Sequence, residues 1–328
     1  MKRSRQIITL ILIVLLFAAF NLSLYQLLTR RLANNFSSAA QARMIDVKSY
    51  LPFEEGSDLP KIDASLQLSG DLPVLDGAAA LVPVYAAVID TVYPVGCVTY
   101  EGGKFSDDNY YGENFAADSA MQYNNTLRGY RAIVDGSTDI LFCSGPSEEQ
   151  KRYAEEKGVE LKYIPIGLEA FVFFVNEKNP VEDLTAEQIR NIYAGEYTNW
   201  REVGGPDRII NPVTRMAGSG SQTTFEFFMG EQAIGRKSLL AVTGASIGFS
   251  FRYYLQDIVE NDTVKMLSLN GVYPSAENIQ NRSYPMVIQF YAIYRADNKN
   301  ENIPRLIDWL VSEEGQTLIE KTGYVRIN

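Results

Sequence analysis

Residues 214–225, which read TRMAGSGSQTTF, join a predicted strand to a predicted helix through a run of small residues. In an open α/β sheet such a junction collects ligands, because free backbone N–H groups and the helix dipole attract anions. The two glycines let the backbone approach a ligand closely, the serines add hydroxyl donors, and the arginine offers a planar fork that suits a tetrahedral oxyanion. The lysine of a P-loop is missing, and a plain flexible turn is the alternative interpretation. The candidate ligand contacts are Arg215, Ser219, Gly220 and Ser221.

Three further junctions have a similar form. At residues 76–81, DGAAAL, we expect the backbone amides to donate to a ligand and the side chains to be inert. At residues 124–129, NNTLRG, Thr126 is interpreted either as a helix cap or as a ligand contact. Residues 143–146, CSGP, follow a strand and are either a fourth wall of the same site or an ordinary turn.

Strand-like and helix-like runs alternate around these junctions, which favours α/β lobes with mostly parallel sheets. A capping-box pattern that begins at Thr185 predicts a helix that buries Ile189, Ile192 and Tyr193 and ends near Gly195. Apolar runs predict strands at residues 72–76, 139–143, 163–166, 170–175, 208–213 and 286–294. Further helices are predicted at residues 78–92 and 223–229, from Pro304 to Leu310, and up to Thr322.

The composition of the 328-residue chain excludes several kinds of chemistry. Because the chain has no histidine, Ser-His-Asp and Cys-His triads are impossible and the commonest transition-metal ligand is missing. Cys97 and Cys143 cannot form a zinc cluster alone, and they are either a disulfide or two buried thiols. We therefore expect no enzymatic activity and no cofactor. A net charge of −10 argues against a nucleic-acid partner.

The N-terminal segment, residues 1–31, contains five basic side chains and no acidic one, so the remainder is the acidic part of the chain. Residues 7–28 are uncharged and mostly aliphatic, and as a helix they would span about 33 Å, enough for a bilayer core of about 30 Å. We predict an uncleaved single-pass anchor with a cytoplasmic N-terminus; a cleaved signal peptide is the alternative. Residues 32–70 are predicted to be a juxtamembrane tether with one short strand, and the body after them is predicted to be extracytoplasmic.

Several blocks of the body share a resemblance to one known family. They are residues 77–85 (GAAALVPVY), 129–139 (GYRAIVDGSTD), 179–195 (NPVEDLTAEQIRNIYAG), 198–205 (TNWREVGG), 215–225, and 273–279 (YPSAENI) with Tyr284 and Pro285. On these blocks the chain from about Leu72 to Asn328 resembles the periplasmic phosphate-binding proteins, the solute receptors of phosphate ABC transporters. The resemblance implies a receptor that captures phosphate or a similar oxyanion, closes around it and docks on an ABC permease.

The resemblance also implies a type II periplasmic-binding-protein fold, in which two α/β lobes enclose a ligand cleft. The crossovers would fall near residues 167–171 and 284–289, with residues 70–166 plus 287–328 in one lobe and 167–286 in the other. By position, the family's anion-contacting residues correspond to Ala79, Ala80, Thr126, Ser144, Arg215, Ser219, Gly220 and Ser221.

Three positions depart from the pattern of the family. Ala79 stands where the family usually offers a threonine hydroxyl, and Ala217 stands where an aspartate often follows the arginine. Ser144 stands where phosphate receptors commonly place an aspartate, which accepts the proton of hydrogen phosphate and repels sulfate. Selectivity for phosphate over sulfate is therefore left open. A membrane-anchored sensory or interaction module with weakened or altered binding is the alternative function.

Overall fold

The computed structural model describes residues 16–17, 19–23, 45–105, 111–235, 244–258 and 263–327. The chain divides into two units, Met1–Met44 and Ile45–Asn328. In the first unit the described residues are helical, and most of the predicted anchor lies outside the described residues. No helix in the described part of the chain is both long enough and apolar enough to cross a bilayer.

Strands and helices alternate along the second unit, as the sequence predicts. The strands are β1 (Leu75–Gly77), β2 (Tyr100–Phe105), β3 (Tyr111–Phe115), β4 (Ile140–Ser144), β5 (Leu161–Asn176), β6 (Asp183–Leu184), β7 (Ile210–Pro212), β8 (Ala245–Phe251), β9 (Val264–Met266), β10 (Ser268–Leu269) and β11 (Val287–Arg295). The α-helices are α1 (Val82–Val92), α2 (Asn125–Asp135), α3 (Glu148–Glu156), α4 (Ala186–Ala194), α5 (Gly220–Met229), α6 (Ala276–Gln280), α7 (Asn302–Leu310) and α8 (Glu313–Lys321). Short 3-10 helices lie at Val47–Tyr50, Ala79–Leu81 and Trp200–Val203.

The main sheet is mixed, so the prediction of mostly parallel sheets is wrong at its centre. The strand order is β1-β4-β11-β5-β8-β7, with β9 also paired to β5. Strand β1 is parallel to β4 and β7 is parallel to β8, whereas β11 is antiparallel to β4 and β5, and β5 is antiparallel to β8 and β9. The predicted parallel pairs therefore lie at the two edges, where helices connect the strands, and the long strands β5 and β11 separate them.

Strand β5 is one continuous strand where the sequence predicts two, at residues 163–166 and 170–175. Residues Leu161–Ala170 pair with β11, and Phe171–Asn176 continue along β8 and β9. Its centre is almost completely buried, because helices and loops cover both faces. An extended chain thus runs through both halves of the sheet without a break.

Buried apolar side chains form three clusters, and β5 contributes to different clusters along its length. The first cluster packs α1, α7 and α8 together and includes Ile166 and Phe290. A smaller one joins α2 to β4 and β11. The other large cluster begins at Leu168 and contains α4, α5 and β8, with the rings of Phe225 and Phe249 stacked at 4.2 Å. The proposed lobe boundaries remain a prediction.

The described part of the predicted tether packs onto the body. Ile45, Val47, Leu59 and Leu68 are buried in the first cluster, together with α1. Regular structure between residues 45 and 70 consists of the 3-10 helix Val47–Tyr50, and the described residues there contain no strand. Residues 45–70 are therefore held by hydrophobic contacts with the body.

Both ends of α4 follow the capping rules. The Thr185 hydroxyl accepts the Gln188 N–H, the Gln188 side chain accepts the Thr185 N–H, and Gly195 ends α4 with φ 84°, as predicted. Ile189, Ile192 and Tyr193 are buried, as the capping-box pattern predicts. The predicted start of α7 at Pro304 is two residues late, because the helix begins at Asn302.

Candidate ligand-binding site

The N-terminus of α5 lies against the C-terminal end of β4 and the N-terminal turn of α2. Gly220 is the first residue of α5, and a Cβ placed on it would lie 3.1 Å from Ser144 Oγ and 3.3 Å from Thr126 Oγ1. Ser144 ends β4, and Thr126 is in the first turn of α2. The fold thus brings together three predicted site residues that are far apart in the sequence.

The loop after β1 reaches the same place through Asn125. The side-chain Oδ1 of Asn125 accepts the Thr126 N–H at 2.8 Å and lies 3.5 Å from the Ala79 nitrogen, a long hydrogen bond. Asn125 has φ 59°, in the left-handed region that asparagine tolerates better than most residues. Ala80 is buried, and its carbonyl accepts the Tyr324 hydroxyl.

The turn before α5 is fixed by Ser219. Its hydroxyl accepts the Gln222 N–H at 3.3 Å and donates to the Met216 carbonyl at 2.8 Å, so it caps the helix, a role that the sequence analysis does not predict. Gly218 has φ 77°, and a Cβ there would lie 2.8 Å from Leu127 Cδ1. Its conformation therefore favours glycine, and a larger residue would also displace the Leu127 side chain.

Arg215 lies exposed at the edge of this turn. Its backbone N–H donates to Gln222 Oε1 at 2.9 Å, and Gln222 in turn donates to Glu226 Oε1 at 3.0 Å. Within the described part of the chain its guanidinium makes no ion pair. Burial raises the pKa of Tyr254, and the Arg215 charge opposes that rise, so the cation lies within electrostatic reach of this phenol.

The structure brings some of the eight predicted ligand contacts together and leaves others apart. Thr126, Ser144 and Gly220 meet directly, Ser221 is buried beside Gly220, and Ala79 joins them through Asn125. The interpretation of Thr126 as a helix cap is wrong, because the helix already begins one residue earlier. All eight residues remain predicted ligand contacts.

Asp76 is a site residue that the sequence reasoning missed. Its Oδ1 accepts the N–H groups of Gly77 and Asn124, and its Oδ2 accepts the Asn124 side-chain amide, each at 2.8 Å. The side chains of the DGAAAL junction are therefore not inert. Burial raises the pKa of Asp76 to about 6, although the three hydrogen bonds lower it. A carboxylate at the end of an apolar strand was the signal available in the sequence.

Gln222 was also missed, although its signal was present. It stands three residues after Ser219, the spacing at which a glutamine commonly returns to a helix start. Here it holds the backbone of Arg215 instead. The Gln222 side chain thus fixes the Arg215 backbone in a turn where Ala217 replaces the aspartate that often follows the arginine.

The two cysteines do not form a disulfide. Both Cys97 and Cys143 are free thiols, the first half-buried and the second buried. Cys143 directly precedes Ser144, and its thiol packs in the cluster that joins α2 to β4.

The site offers mainly hydrogen-bond donors. The starts of α2 and α5 meet at the hydroxyls of Thr126 and Ser144, Arg215 is exposed in the turn before α5, and none of the eight predicted residues is a carboxylate. The Asp76 carboxylate is occupied by protein donors. Such an arrangement is suited to a small anion, because the helix starts and the arginine supply positive potential close to it.

Comparison with known proteins is consistent with this geometry. A family model described as the PBP superfamily domain matches residues 104–314. The phosphate-binding protein PstS of Bacillus subtilis is 28% identical over 232 residues, which cover 67% of this chain and 75% of that protein. PstS of Staphylococcus epidermidis is 28% identical over 223 residues, or 61% of this chain and 67% of that protein.

Solved structures show the same fold. A crystal structure from Clostridium perfringens, assigned as a phosphate ABC transporter substrate-binding protein and containing bound phosphate, is 25% identical, covers 79% of this chain and all of its own, and has a TM-score of 0.57. An ABC-type phosphate transport receptor from Vibrio cholerae, 22% identical with a TM-score of 0.52, covers 76% of this chain and 98% of its own and supports the fold alone. Because the family model spans well over half of the sequence, this chain belongs to the PBP (periplasmic-binding-protein) superfamily and has its type II fold.

Proposed function

We propose that this protein is an extracytoplasmic solute-binding protein that captures phosphate or a similar tetrahedral oxyanion for an ABC transporter. Its family supports the receptor role, and relatives that are named phosphate-binding proteins support the ligand. The observation that matters most is the approach of Gly220 to Ser144 and Thr126, with Arg215 exposed in the turn before α5. The protein binds and releases its ligand and performs no covalent chemistry.

The proposed mechanism is capture followed by closure. The anion is held by N–H groups at the starts of α2 and α5, by the hydroxyls of Thr126, Ser144 and Ser221, and by Arg215. Ser219 contributes by fixing the turn before α5, because its hydroxyl donates to the Met216 carbonyl. The proposed lobes, residues 70–166 plus 287–328 and residues 167–286, then close about the crossovers in β5 and before β11. The contact of α5 with β4 is the expected closing contact, because these elements belong to different proposed lobes.

The proposed ligand class is broader than phosphate alone. A serine at position 144 can donate or accept a hydrogen bond, whereas an aspartate there would accept a proton from hydrogen phosphate and repel a fully ionised oxyanion. We therefore expect sulfate to compete with phosphate in this protein. The acidic body opposes the approach of any anion, so attraction must be local and come from the helix starts and Arg215.

Calorimetric titration of the full chain in detergent with phosphate, sulfate and molybdate tests the proposal. Arg215→Ala is expected to weaken oxyanion binding by roughly 10- to 100-fold, since a charge-assisted hydrogen bond contributes about 1.5–3 kcal/mol. Arg208→Ala is the matched control, because Arg208 is another exposed arginine of the same proposed lobe. Absence of binding to every oxyanion would contradict the proposal and favour the sensory or interaction module, which the changes at Ala79, Ser144 and Ala217 also favour.

We also propose that residues 1–31 form an uncleaved single-pass anchor with the body outside the cytoplasm. The support is the uncharged run at residues 7–28, with basic residues before it. Residues 32–70 are proposed to connect this anchor to the body. The proposed partner of the body is an ABC permease. Mass spectrometry of the mature protein should find the original N-terminus, whereas a new N-terminus near Arg43 would mean that a signal peptide is removed.

A further inference from the structure

The Asp76 carboxylate connects two of the segments proposed to hold the anion. It accepts hydrogen bonds from the backbone of Gly77, which begins the first ligand loop, and from both the backbone and the side chain of Asn124. Asn124 directly precedes α2, the helix that carries Thr126. One side chain therefore fixes the loop after β1 against the start of α2.

A second bridge lies on the same two segments. Asn125 Oδ1 accepts the Thr126 N–H at 2.8 Å and faces the Ala79 N–H at 3.5 Å. Helix α2 packs closely on the carboxylate itself, since a Cβ on Gly129 would lie 3.7 Å from Asp76 Oδ2. The positions of the Ala79 and Thr126 amides thus depend on where Asp76 holds the chain.

Burial of the Asp76 carboxylate costs free energy, which indicates that this side chain does more than fill space. Asp76 is completely buried, and none of the influences that set its pKa is a positive charge. The titratable groups coupled to it are the Tyr85 phenol on α1 and the Cys143 thiol on β4, and burial raises the pKa of both. A neutral side chain would pack here without the penalty of burying an unpaired charge. The compensation comes from N–H groups of the two ligand segments.

We propose that Asp76 is a positioning residue of the oxyanion site, which sets the loop after β1 and the start of α2 in the geometry that places residues 79–80 and the Thr126 hydroxyl at the anion. This inference rests on the proposed function, since it assumes that these segments bind an oxyanion. Asp76 does not contact the ligand, because both of its oxygens accept hydrogen bonds from the protein.

An exchange of donor and acceptor tests the proposal in the full chain, with phosphate titrated by calorimetry. In Asp76→Asn, the new amide nitrogen would face the amide nitrogen of Asn124, so one bridge is lost and phosphate affinity should fall about tenfold or more. In the double variant Asp76→Asn with Asn124→Asp, donor and acceptor change places and the bridge can form again. This variant should regain most of the affinity, which a general loss of stability would not explain.

Asp139→Asn is the matched control. Asp139 accepts the Val74 N–H at 2.8 Å and the Asn298 side-chain amide at 2.7 Å, a similar pattern at the opposite ends of β1 and β4. It should leave phosphate affinity unchanged even if it lowers the unfolding temperature. Equal affinity losses for Asp139→Asn and Asp76→Asn, or no recovery in the double variant, would overturn the inference.

The outcomes separate this inference from the proposed function. If the wild type binds phosphate and Asp76→Asn binds it equally well, the inference is wrong and the proposed function stands. If the wild type binds no oxyanion, the proposed function fails and the inference fails with it. If Asp76→Asn does not fold, the double variant decides, because retained affinity supports the positioning role and lost affinity contradicts it.

Discussion

At the scale of single residues, Ser144 is the position at which ligand choice can be tested. It is buried at the end of β4, with its hydroxyl against the start of α5. A carboxylate there should accept the proton of hydrogen phosphate but repel sulfate, which carries no proton at neutral pH. Ser144→Asp should therefore reduce sulfate affinity at least tenfold more than phosphate affinity, as measured by competition calorimetry near pH 7.

The control for that substitution is Ser144→Asn, which has a similar size and no charge. It should change the affinities for the two anions by similar factors. Equal losses of sulfate and phosphate binding in Ser144→Asp would mean that Ser144 lies outside the anion site.

Gly220 should tolerate a side chain poorly. An added methyl group would lie 3.1 Å from Ser144 Oγ and 3.3 Å from Thr126 Oγ1, closer than most Cβ contacts. Gly220→Ala is expected to weaken oxyanion binding about three- to tenfold by pushing the start of α5 away from β4, with a change in unfolding free energy of about 1 kcal/mol or less. Calorimetry and urea unfolding measure the two effects separately.

Gly145→Ala is the matched control, because it adds the same methyl group one residue after Ser144 in open space. It should leave affinity unchanged. A similar loss in both variants would point to the loop after β4 and not to the contact with α5.

The site shows which residues a sequence can reveal. Gly220 and Ser221 stand out because glycine and serine cluster before a helix, and Thr126 and Ser144 also follow from local patterns. Asp76 is visible as a carboxylate at the end of an apolar strand, but its role is not, because that role depends on Asn124, which lies 48 positions away in the sequence. Contacts between distant segments are set by the packing of the fold and leave no local pattern.

At the scale of elements, the helix caps separate stability from binding. Thr185→Ala removes the hydroxyl that accepts the Gln188 N–H at the start of α4, away from the proposed site, and should cost about 1 kcal/mol of unfolding free energy. Ser219→Ala removes the equivalent bond in α5 and should cost a similar amount. Only Ser219→Ala should also weaken oxyanion binding. Urea unfolding and calorimetry on both variants test this, and weaker binding in Thr185→Ala would contradict it.

The elements themselves were predicted with uneven success, for physical reasons. Helices α4 and α8 end where caps and glycines place them, because these signals act within a few residues. Strand direction carries no such signal, so the strand at residues 286–294 is predicted correctly but its antiparallel pairing at the centre of the sheet is not. Strand β5 was divided in two because Gly167 and its neighbours interrupt the apolar run, while the pairing with β11 continues through that point.

At the scale of the whole molecule, β5 joins the two large hydrophobic clusters and places a carboxylate where they meet. Glu169 is buried in the centre of this strand, with its Oε1 3.5 Å from the Arg252 Nε. It also accepts the backbone N–H groups of Ala170 and Tyr253, and Arg252 donates to the Gly323 carbonyl. The pair thus connects β5 to the chain after β8 and to the end of α8, near the proposed crossovers.

This buried carboxylate predicts a dependence of stability on pH. Burial raises the pKa of Glu169 from 4.5 to about 7, and the Arg252 charge only partly offsets that rise. The folded protein then holds this proton more tightly than the unfolded chain, so the contribution of Glu169 to stability is greatest below pH 4.5 and is lost as the pH rises through 7. Asp76, whose pKa is also raised, acts with the same sign at a lower pH.

Removal of the titrating group isolates this contribution. Urea unfolding of the wild type and of Glu169→Gln between pH 5 and pH 8 should show a wild-type free energy that falls relative to the variant by about 1–3 kcal/mol. The difference between the wild-type and variant free energies cancels the contributions of exposed carboxylates. Glu313 is one of these: Arg326 lowers its pKa, so it acts with the opposite sign. Glu313→Gln serves as the control and should not reproduce the trend. A free-energy difference that stays level over this range would mean that Arg252 keeps the Glu169 carboxylate ionised, because an ion pair strong enough to lower the pKa moves the titration below pH 5.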